Sequence, residues 1–270
     1  MKPASAVASH VPLPLEFLGV PLAHRGLHDQ ARNVIENSLG AVRAAVDAGY
    51  GIELDVQPTR DGDAVVFHDP LLDRLTSERG AVADRTTSEL TRLALLGGDG
   101  DRIPTLSQVL ADVAGRVPVL IELKDQSGCF GPEPDPLARA VARALRGYTE
   151  PTAVMSFNPH SVAHLARLSP QTPRGLTTKR FLPRGGLTYR MAARLNRFEL
   201  FEEVGASFIS HDRRSLSAHA VVALRNKGVP ILTWTIKSPR QERVARRVAH
   251  NITFEGYTPS PRPASGGPIT

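Results

Sequence analysis

Short apolar runs alternate along the chain with segments of helical pattern. Eight runs have the length and composition of buried β-strands; they are Pro21–Ala23, Ile52–Val56, Pro118–Leu123, Ala153–Ser156, Arg174–Leu176, Ser207–Ile209, Ile231–Thr235 and Ile252–Phe254. Helical patterns lie between most of them, at Glu36–Ala48, Leu106–Ala114, Leu137–Leu145, Ser161–Leu168, Ser217–Asn226 and Arg240–His250. Several of these helical segments stop at a glycine that precedes the next β-rich run, which is typical of βα units. The alternation predicts a single (β/α)₈ barrel of the TIM type, and a doubly wound open sheet stays the alternative because periodicity does not separate the two.

Two segments interrupt this rhythm. A ninth β-like run, Ala64–Phe67, follows strand two after a turn that contains Asp61-Gly62, so we expect a small hairpin excursion there. Thr177–Gly205 is a long connection that contains one further helical pattern. The pattern therefore predicts an N-terminal extension over residues 1–20, a catalytic barrel over 21–256 and a flexible tail over 257–270 that is rich in Pro, Ser and Gly.

Composition narrows the class of protein. The chain has 270 residues, of which 41% are hydrophobic and 22% charged, as in soluble globular proteins. It contains no run of 18 apolar residues, so a membrane-spanning helix is not expected. A single cysteine, Cys129, and an N-terminus without a signal-peptide core predict a cytoplasmic protein. The net charge of +6 favours anionic partners but is too small for a dedicated nucleic-acid binder.

Charged residues occur in two strands that should be buried on both faces. Side chains in a strand alternate with period two, so Glu53 and Asp55 share one face, as do Glu122 and Lys124. All four lie at the carboxyl ends of their strands, where barrel enzymes place their chemistry. Three converging carboxylates repel one another unless a cation lies among them, and an all-oxygen set favours Mg²⁺ or Ca²⁺. The weaker alternative to a metal site is that these residues form structural ion pairs inside the barrel, such as Glu53 with Lys124.

Two histidines also follow strands. His24-Arg25 comes after the first strand and His68-Asp69 after the hairpin strand, so both can overhang the same mouth. Two imidazoles can divide the roles of base and acid near neutral pH, and the Arg25 guanidinium suits a phosphate. Each histidine alone is more typical of a loop residue bonded to backbone, but beside three carboxylates the pair indicates an active site.

Two other patterns are interpreted as structural. Ser210-His211-Asp212 has the residue types of a hydrolase triad, but adjacent strand residues point to opposite faces. The last helix carries a basic face formed by Arg240, Arg243, Arg246 and Arg247. Its opposite side has little apolar surface, so we expect a solvated outer helix rather than a membrane anchor.

Taken together, these residues resemble the glycerophosphodiester phosphodiesterase family over nearly the whole chain. The matching motifs are His24-Arg25-Gly26, Glu36-Asn37-Ser38, Glu53-Leu54-Asp55-Val56, Asp61-Gly62, His68-Asp69, Ile103-Pro104-Thr105-Leu106 and Glu122-Leu123-Lys124, with weaker matches at Ser156-Phe157, Gly175-Leu176 and Trp234-Thr235. The resemblance implies a barrel that cleaves a glycerophosphodiester into sn-glycerol 3-phosphate and an alcohol.

The resemblance also implies roles for individual residues. Glu53, Asp55 and Glu122 would hold one divalent cation, Mg²⁺ or Ca²⁺. His24 would be the general base and His68 the general acid. The substrate would be bound by three further residues, of which Arg25 and Lys124 neutralise the phosphoryl charge and Trp234 covers the glycerol or packs the barrel. Glu36 and Asn37 would orient His24 or touch the metal shell, or else cap the following helix.

The chain departs from the family at the last strand, where the usual Thr-Asp-x-Pro is replaced by Phe254-Glu255-Gly256-Tyr257-Thr258-Pro259. Glu255 is the candidate to substitute for that aspartate. We expect a small-molecule glycerophosphodiester as partner, with no nucleic acid and no stable membrane insertion, and the oligomeric state stays open. The alternatives are a lysophospholipase D or sphingomyelinase-D-like lyase on lipid phosphodiesters, if an internal hydroxyl attacks phosphorus, and a barrel that binds phosphodiesters without catalysis.

Overall fold

The computed structural model describes residues 10–132 and 136–259, and its centre is a closed barrel of parallel strands. In chain order the strands are β1 (Leu22–His24), β2 (Gly51–Pro58), β3 (Ala64–Val66), β4 (Val119–Leu123), β5 (Thr152–Ser156), β6 (Arg174–Thr178), β7 (Phe208–Asp212), β8 (Ile231–Ile236) and β9 (Asn251–Phe254). β1 pairs in parallel with both β2 and β9, which closes a ring of eight strands. The predicted (β/α)₈ barrel is therefore confirmed, and the open sheet is excluded.

The ninth strand lies outside the ring. β3 runs antiparallel to β2, with Val66 opposite Val56 and Ala64 opposite Pro58. The chain reverses between them at Gly62, whose φ of 83° suits a residue without a side chain. The predicted hairpin excursion is thus confirmed. It runs back from the carboxyl end of β2 and brings His68 to the level of Asp55, whose carbonyl accepts the backbone N–H of Phe67.

Helices surround the barrel. They are α1 (Glu16–Gly19), α2 (Leu39–Asp47), α3 (Thr87–Leu90), α4 (Leu106–Val113), α5 (Pro136–Ala144), α6 (Pro159–Leu168), α7 (Tyr189–Asn196), α8 (His219–Asn226) and α9 (Pro239–Ala245), with short 3₁₀ turns at Gln30–Arg32, Val82–Asp84 and Arg213–Ser215. Their inward faces and the outward faces of the strands form the main apolar core.

Several predicted helix limits were wrong. The helix predicted to begin at Glu36 begins at Leu39, because the Ser38 hydroxyl accepts the Ala41 N–H and caps it. Asn37 stands one residue before that cap with a φ of 59°, so neither it nor Glu36 caps the helix or complements its dipole. The last helix ends at Ala245, five residues before the predicted end, because the chain from Arg246 onward turns toward β9.

Side chains inside the barrel change from apolar at one end to polar at the other. The amino ends of the strands enclose a cluster that is separate from the outer core and consists of Leu13, Phe17, Leu22, Leu120, Ala153, Met155, Phe208 and Leu232. His24 stands two residues beyond Leu22 and Glu122 two residues beyond Leu120, and Glu53 of β2 lies opposite His24. The period of two thus places an apolar floor beneath a charged mouth.

Both chain ends contact the barrel where they are described. Phe17 of α1 is fully buried in the apolar floor, and the Asn251 amide donates to the Phe17 and Val20 carbonyls. At the other end the Tyr50 hydroxyl donates to the Pro259 carbonyl, so residues 257–259, predicted to belong to the tail, pack on the barrel. Residues 1–9 of the predicted extension and 260–270 of the predicted tail lie outside the described residues. Among those described, no helix has the length and hydropathy to cross a bilayer.

Candidate active site

One pocket of about 160 Å³ opens at the carboxyl ends of the strands. Its lining contains all eight residues predicted for catalysis, metal binding and substrate binding, together with four others; the full set is His24, Arg25, Glu53, Asp55, His68, Glu122, Lys124, Met155, Phe157, Trp234, Thr235 and Thr253. Residues far apart in sequence therefore meet at one mouth, as the strand-end positions predict.

The three carboxylates converge from neighbouring strands. Glu53 and Asp55 lie on β2, and the β2–β4 register places Asp55 directly opposite Glu122. All three are buried, and each offers an oxygen that lies within 4.8 Å of the others. The Lys124 Nζ lies between them, 2.6 Å from Asp55 Oδ1 and 2.5 Å from Glu122 Oε1.

Their electrostatics differ because the local cations are unevenly placed. Burial and the neighbouring Asp55 raise the pKa of Glu53 to about 7. Burial opposes ionisation of Asp55 too, but Lys124, His68 and Arg25 outweigh it and hold its pKa well below the usual range. The positive side chains around the triad thus stabilise the charge of Asp55 but do not fully compensate that of Glu53. Further positive charge at this point would lower the free energy of the site.

His24 is held at the end of β1 by the last strand. Its Nδ1 lies 2.8 Å from Glu255 Oε2, while its Nε2 faces the triad 3.9 Å from Glu53 Oε2. Lys237 donates to the other oxygen of Glu255 at 2.9 Å. Burial favours the neutral imidazole, but Glu255 and Glu53 outweigh it and raise the pKa of His24. Glu255, the residue in place of the family's aspartate, therefore orients His24.

Arg25 turns sharply after β1 so that its backbone and side chain both reach the pocket. It has a φ of 57°, and Gly26 follows at 78°, where an added Cβ would lie 2.8 Å from the Ala41 backbone. The turn lets the Arg25 N–H donate to Glu53 at 3.2 Å. Its guanidinium donates to Glu36 at 2.7 Å, and its Nε lies 3.3 Å from Asp55 without a hydrogen-bond partner. A donor is therefore buried at the pocket wall and not satisfied by the protein.

His68 is held by a chain of charges beyond β3. Its Nδ1 lies 2.7 Å from Asp69 Oδ1, and Arg74 donates to Asp69 Oδ2 at 2.5 Å. Arg74 also donates to both oxygens of Glu36, which joins His68 to Arg25 through one network. Burial lowers the pKa of His68, and the attraction of Asp55 does not restore it. Both histidines thus bind a carboxylate through Nδ1.

Glu36 and Asn37, expected beside the site, contact it from behind its lining. Asn37 donates to Asp55 Oδ2 at 3.0 Å and accepts the Asp55 N–H at 3.3 Å. Its left-handed backbone, which asparagine tolerates well, aims the amide at β2. Glu36 binds Arg25 and Arg74 rather than His24. Asn37 therefore contacts Asp55, a predicted metal ligand, whereas neither Asn37 nor Glu36 contacts His24.

Three contributors were missed by the sequence interpretation. Gln57 donates to the His68 carbonyl at 3.0 Å, and it is the third residue in the alternating series after Glu53 and Asp55, so the same period could have identified it. Phe157 lines the pocket two residues beyond Met155 of β5, and its only signal in the sequence is the weak family match at Ser156-Phe157. Nothing in the sequence marks Arg74.

Part of the pocket lining is aromatic. The Trp234 and Phe157 rings meet edge to face with centroids 5.6 Å apart, and the indole N–H donates to the Ser210 carbonyl at 3.0 Å. Trp234 thus packs in the barrel and faces the pocket at the same time. His211, in contrast, is buried away from the mouth, bonded to Thr178 at 2.8 Å and Ser215 at 2.9 Å. This confirms that Ser210-His211-Asp212 is not a triad.

Comparison with known proteins gives consistent results. The model of the glycerophosphoryl diester phosphodiesterase family matches residues 24–252. A glycerophosphodiester phosphodiesterase of Caldanaerobacter subterraneus subsp. tengcongensis is 30% identical over 244 residues, which cover 86% of this chain and 90% of the relative.

Solved structures share the fold at lower identity. A phosphodiesterase of Oleispira antarctica, solved in complex with the product sn-glycerol-3-phosphate, superposes with a TM-score of 0.70 at 22% identity over 87% of this chain and 93% of that one. The glycerophosphodiester phosphodiesterase of Thermotoga maritima gives a TM-score of 0.66 at 24% identity over 87% and 94% of the two chains.

Proposed function

The chain belongs to the glycerophosphoryl diester phosphodiesterase family, and from this we propose that it hydrolyses glycerophosphodiesters to sn-glycerol 3-phosphate and an alcohol through a metal-assisted, two-histidine reaction. One observation carries the proposal. Three buried carboxylates, two histidines and two cations, from three strands and the hairpin, line a single pocket whose size suits a phosphate with a small polyol.

The carboxylate triad is proposed to hold one divalent cation, either Mg²⁺ or Ca²⁺. The donor set consists only of oxygens, which these cations prefer. The raised pKa of Glu53 supports the proposal, because the protein's own cations leave this carboxylate uncompensated. When bound, such a cation polarises phosphoryl oxygens and stabilises the charge that develops on them. Glu53, Asp55 and Glu122 would supply the ligands, and Asn37 would fix the orientation of Asp55 through its hydrogen bonds.

His24 is proposed to be the general base. The bond from Nδ1 to Glu255 leaves Nε2 as the nitrogen that faces the pocket, so it is Nε2 that would accept the proton of the attacking water or hydroxyl. Glu53 contributes to the raised pKa of His24, so neutralising Glu53 lowers that pKa and favours the unprotonated base.

His68 is proposed to be the general acid that protonates the departing alcohol. Asp69 and Arg74 hold its ring, again with Nδ1 engaged and Nε2 free for the substrate. In the chain alone the proton resides more readily on His24 than on His68, so the pKa directions do not assign the two roles. The assignment rests on the family resemblance, and a leaving-group experiment described in the Discussion distinguishes it from the reverse.

Arg25, Lys124 and Trp234 are proposed to bind the substrate. The unpaired Nε of Arg25 and the Lys124 ammonium both lie within 3.3 Å of Asp55, so they can donate to phosphoryl oxygens at the triad as charge shifts toward the leaving oxygen. Trp234 would cover the apolar edge of the glycerol.

The test is release of glycerol 3-phosphate from glycerophosphocholine, measured with EDTA and with added Mg²⁺ or Ca²⁺. We expect release that requires the cation in the wild type and falls by about 10²–10⁴-fold in His24→Ala. Tyr189→Ala, which changes an exposed ring outside the pocket, is the matched control and should keep wild-type turnover. Release that is unaffected by EDTA would contradict metal assistance, and absence of release with every cation would contradict the proposed reaction.

A further inference from the structure

The positive charge of this chain is concentrated in one segment. Residues 177–198 contain six of the 33 basic residues and none of the 27 acidic ones, so the rest of the chain has equal numbers of both. The whole net charge of +6 therefore corresponds to the connection that begins within β6 and includes α7. Clustering of positive charge in one segment gives that part of the surface a positive potential, which the net charge of the chain alone does not reveal.

Most of these cations have no carboxylate partner. Within the described residues, Arg194 and Arg197 form ion pairs with Glu199. The other four have no carboxylate oxygen within 4 Å among the residues that the structure describes; they are Lys179, Arg180, Arg184 and Arg190. Three of them, all but Lys179, are exposed. Their charge is thus available to an external anion.

Two apolar side chains project among these cations. Tyr189, at the start of α7, has 82% of its surface exposed, and Leu182 has 49% exposed. Between them in sequence lies Arg184, so basic and apolar groups interleave over a short stretch. This combination is found on proteins that lie at a membrane interface, where arginines contact anionic head groups and Tyr or Leu enters the acyl boundary.

The segment lies beside the mouth of the active site. It leaves the barrel at the carboxyl end of β6, on the same rim as the catalytic side chains. Phe181 anchors it, with its ring edge-on to Phe157 at 6.5 Å, and Phe157 lines the pocket against Trp234. The Lys179 ammonium lies 5.2 Å from the centroid of the Phe157 ring. Leu187 and Met191 pack against the same cluster as Phe157, so the segment that carries the exposed groups is anchored beside the pocket entrance.

We propose that these residues form a docking surface for an anionic lipid bilayer. The docking surface consists of Lys179, Arg180, Leu182, Arg184, Tyr189 and Arg190. Bound in this way, the protein turns its pocket entrance toward the membrane without inserting a helix. The proposal goes beyond the proposed reaction, because binding to the lipid requires neither the triad nor the histidines.

The outer helix α9 provides an internal comparison. α9 and the turn that follows it also expose arginines, among them Arg243 and Arg247, but the one large exposed apolar side chain there is Val244. α9 follows β8 and descends the outside of the barrel, whereas the docking surface includes two exposed apolar groups at the rim. If charge alone decided lipid binding, the two surfaces would contribute equally.

The experiment is co-sedimentation of the full chain with vesicles of phosphatidylglycerol and phosphatidylcholine mixed in equal parts, and with pure phosphatidylcholine. We expect binding to the anionic vesicles that weakens as salt increases, and none to pure phosphatidylcholine. Arg184→Gln/Arg190→Gln should bind about 20- to 30-fold more weakly, since each basic residue near such a surface contributes a factor of about five. The matched double variant Arg243→Gln/Arg247→Gln should bind like the wild type.

A second pair of variants distinguishes a bilayer from other polyanions. Leu182→Ser/Tyr189→Ser keeps every charge, so it should lose vesicle binding while its binding to a single-stranded oligonucleotide stays the same as that of the wild type. Any of three results would overturn the proposal. The wild type could fail to bind vesicles, Arg243→Gln/Arg247→Gln could lose as much vesicle binding as Arg184→Gln/Arg190→Gln, or Leu182→Ser/Tyr189→Ser could lose oligonucleotide binding together with vesicle binding. Turnover of soluble glycerophosphocholine should be unchanged in all these variants, which separates a failure of docking from a failure of the proposed reaction.

Discussion

Glu255 holds His24 from the opposite end of the chain, with 2.8 Å between Oε2 and Nδ1 of two residues that are 231 positions apart in sequence. The contact exists because β1 and β9 are neighbours in the closed ring, with Leu22 beside Thr253. The carboxylate fixes which imidazole nitrogen faces the triad. The closure of the barrel and the orientation of a proposed catalytic group thus depend on the same pair of strands.

Replacing this carboxylate should slow the reaction without preventing binding. Glu255→Gln keeps a hydrogen-bonding atom but removes the charge that stabilises the imidazolium, so we expect kcat to fall by about 10–100-fold with little change in KM. Lys237→Gln removes the other partner of Glu255 and should stay within a factor of about two, because that lysine is exposed. Steady-state kinetics on glycerophosphocholine make the measurement. A loss confined to KM would show that Glu255 binds substrate instead of positioning His24.

The roles of the two histidines can be separated by the leaving group. A p-nitrophenyl ester of glycerol 3-phosphate releases an anion that needs no protonation. His68→Ala should therefore lose about 10²–10⁴-fold on glycerophosphocholine but much less on this ester. His24→Ala should lose activity on both substrates, because the nucleophile must be deprotonated in either case. Rescue of His24→Ala instead would assign the acid to His24.

Metal binding at the triad should appear as thermal stabilisation. At about 100 times the dissociation constant, a ligand that binds only the folded state adds about 2.7 kcal/mol, which is about 5–10 °C in Tm for a chain of this size. We expect that increase with Mg²⁺ or Ca²⁺ relative to EDTA. It should vanish in Glu53→Gln and Glu122→Gln and persist in Asp47→Asn, which changes an exposed carboxylate at the end of α2. In EDTA, Glu53→Gln should melt no lower than the wild type, because it removes repulsion with Asp55. A Tm that does not respond to either cation would contradict the metal site.

The strand positions could be predicted because buried parallel strands leave a clear trace in sequence. The charged pairs Glu53/Asp55 and Glu122/Lys124 interrupt apolar runs with a period of two, which fixed both their face and their end of the barrel. Helix ends were less predictable, since a single cap such as Ser38 decides them and other residues nearby, including Asn37, have suitable chemistry.

Contacts that depend on ring closure or on loops could not be predicted in this way. No local period relates Glu255 to His24, because their distance depends on β1 meeting β9. Arg74 reaches Asp69 and Glu36 from a loop whose course is decided by tertiary packing. The sequence thus indicated which groups take part, while the way in which they orient one another required the structure.

The buried histidine outside the active site should make the fold sensitive to acid. Burial lowers the pKa of His211 to about 4, against an ordinary value near 6.5. Between these two values the unfolded chain binds the proton and the folded chain does not, so the stability that is present at neutral pH is lost progressively as pH falls from about 6.5 to 4. The linkage predicts a loss of about 2 kcal/mol in the free energy of unfolding between pH 7.5 and pH 5.

His211→Gln isolates this contribution. Glutamine can still bond to Thr178 or Ser215 but does not titrate, so its unfolding free energy should fall by about 2 kcal/mol less than that of the wild type over the same interval. Urea unfolding of both proteins at the two pH values gives the difference, in which contributions from other groups cancel. An equal loss in both proteins would mean that His211 is not the titrating group.

The apolar floor should make the short helix α1 essential to the stability of the barrel. Phe17 is fully buried among Leu22, Phe208 and other residues at the amino ends of the strands, and Asn251 binds the carbonyl of Phe17. Phe17→Ala would leave a cavity at the base of the barrel, and we expect a loss of about 3–5 kcal/mol in unfolding free energy.

Leu15 provides the matched control for Phe17, because it is two residues away and 78% exposed. Leu15→Ala should change the unfolding free energy by no more than about 0.5 kcal/mol. Urea unfolding of the wild type, Phe17→Ala and Leu15→Ala shows whether the segment before β1 stabilises the barrel or only lies against it. Since the triad stands directly above this floor, Phe17→Ala should also weaken the Tm increase produced by Mg²⁺ or Ca²⁺. Equal stability of the two variants would show that residues before β1 are an appendage, and that the strands pack their own interior without α1.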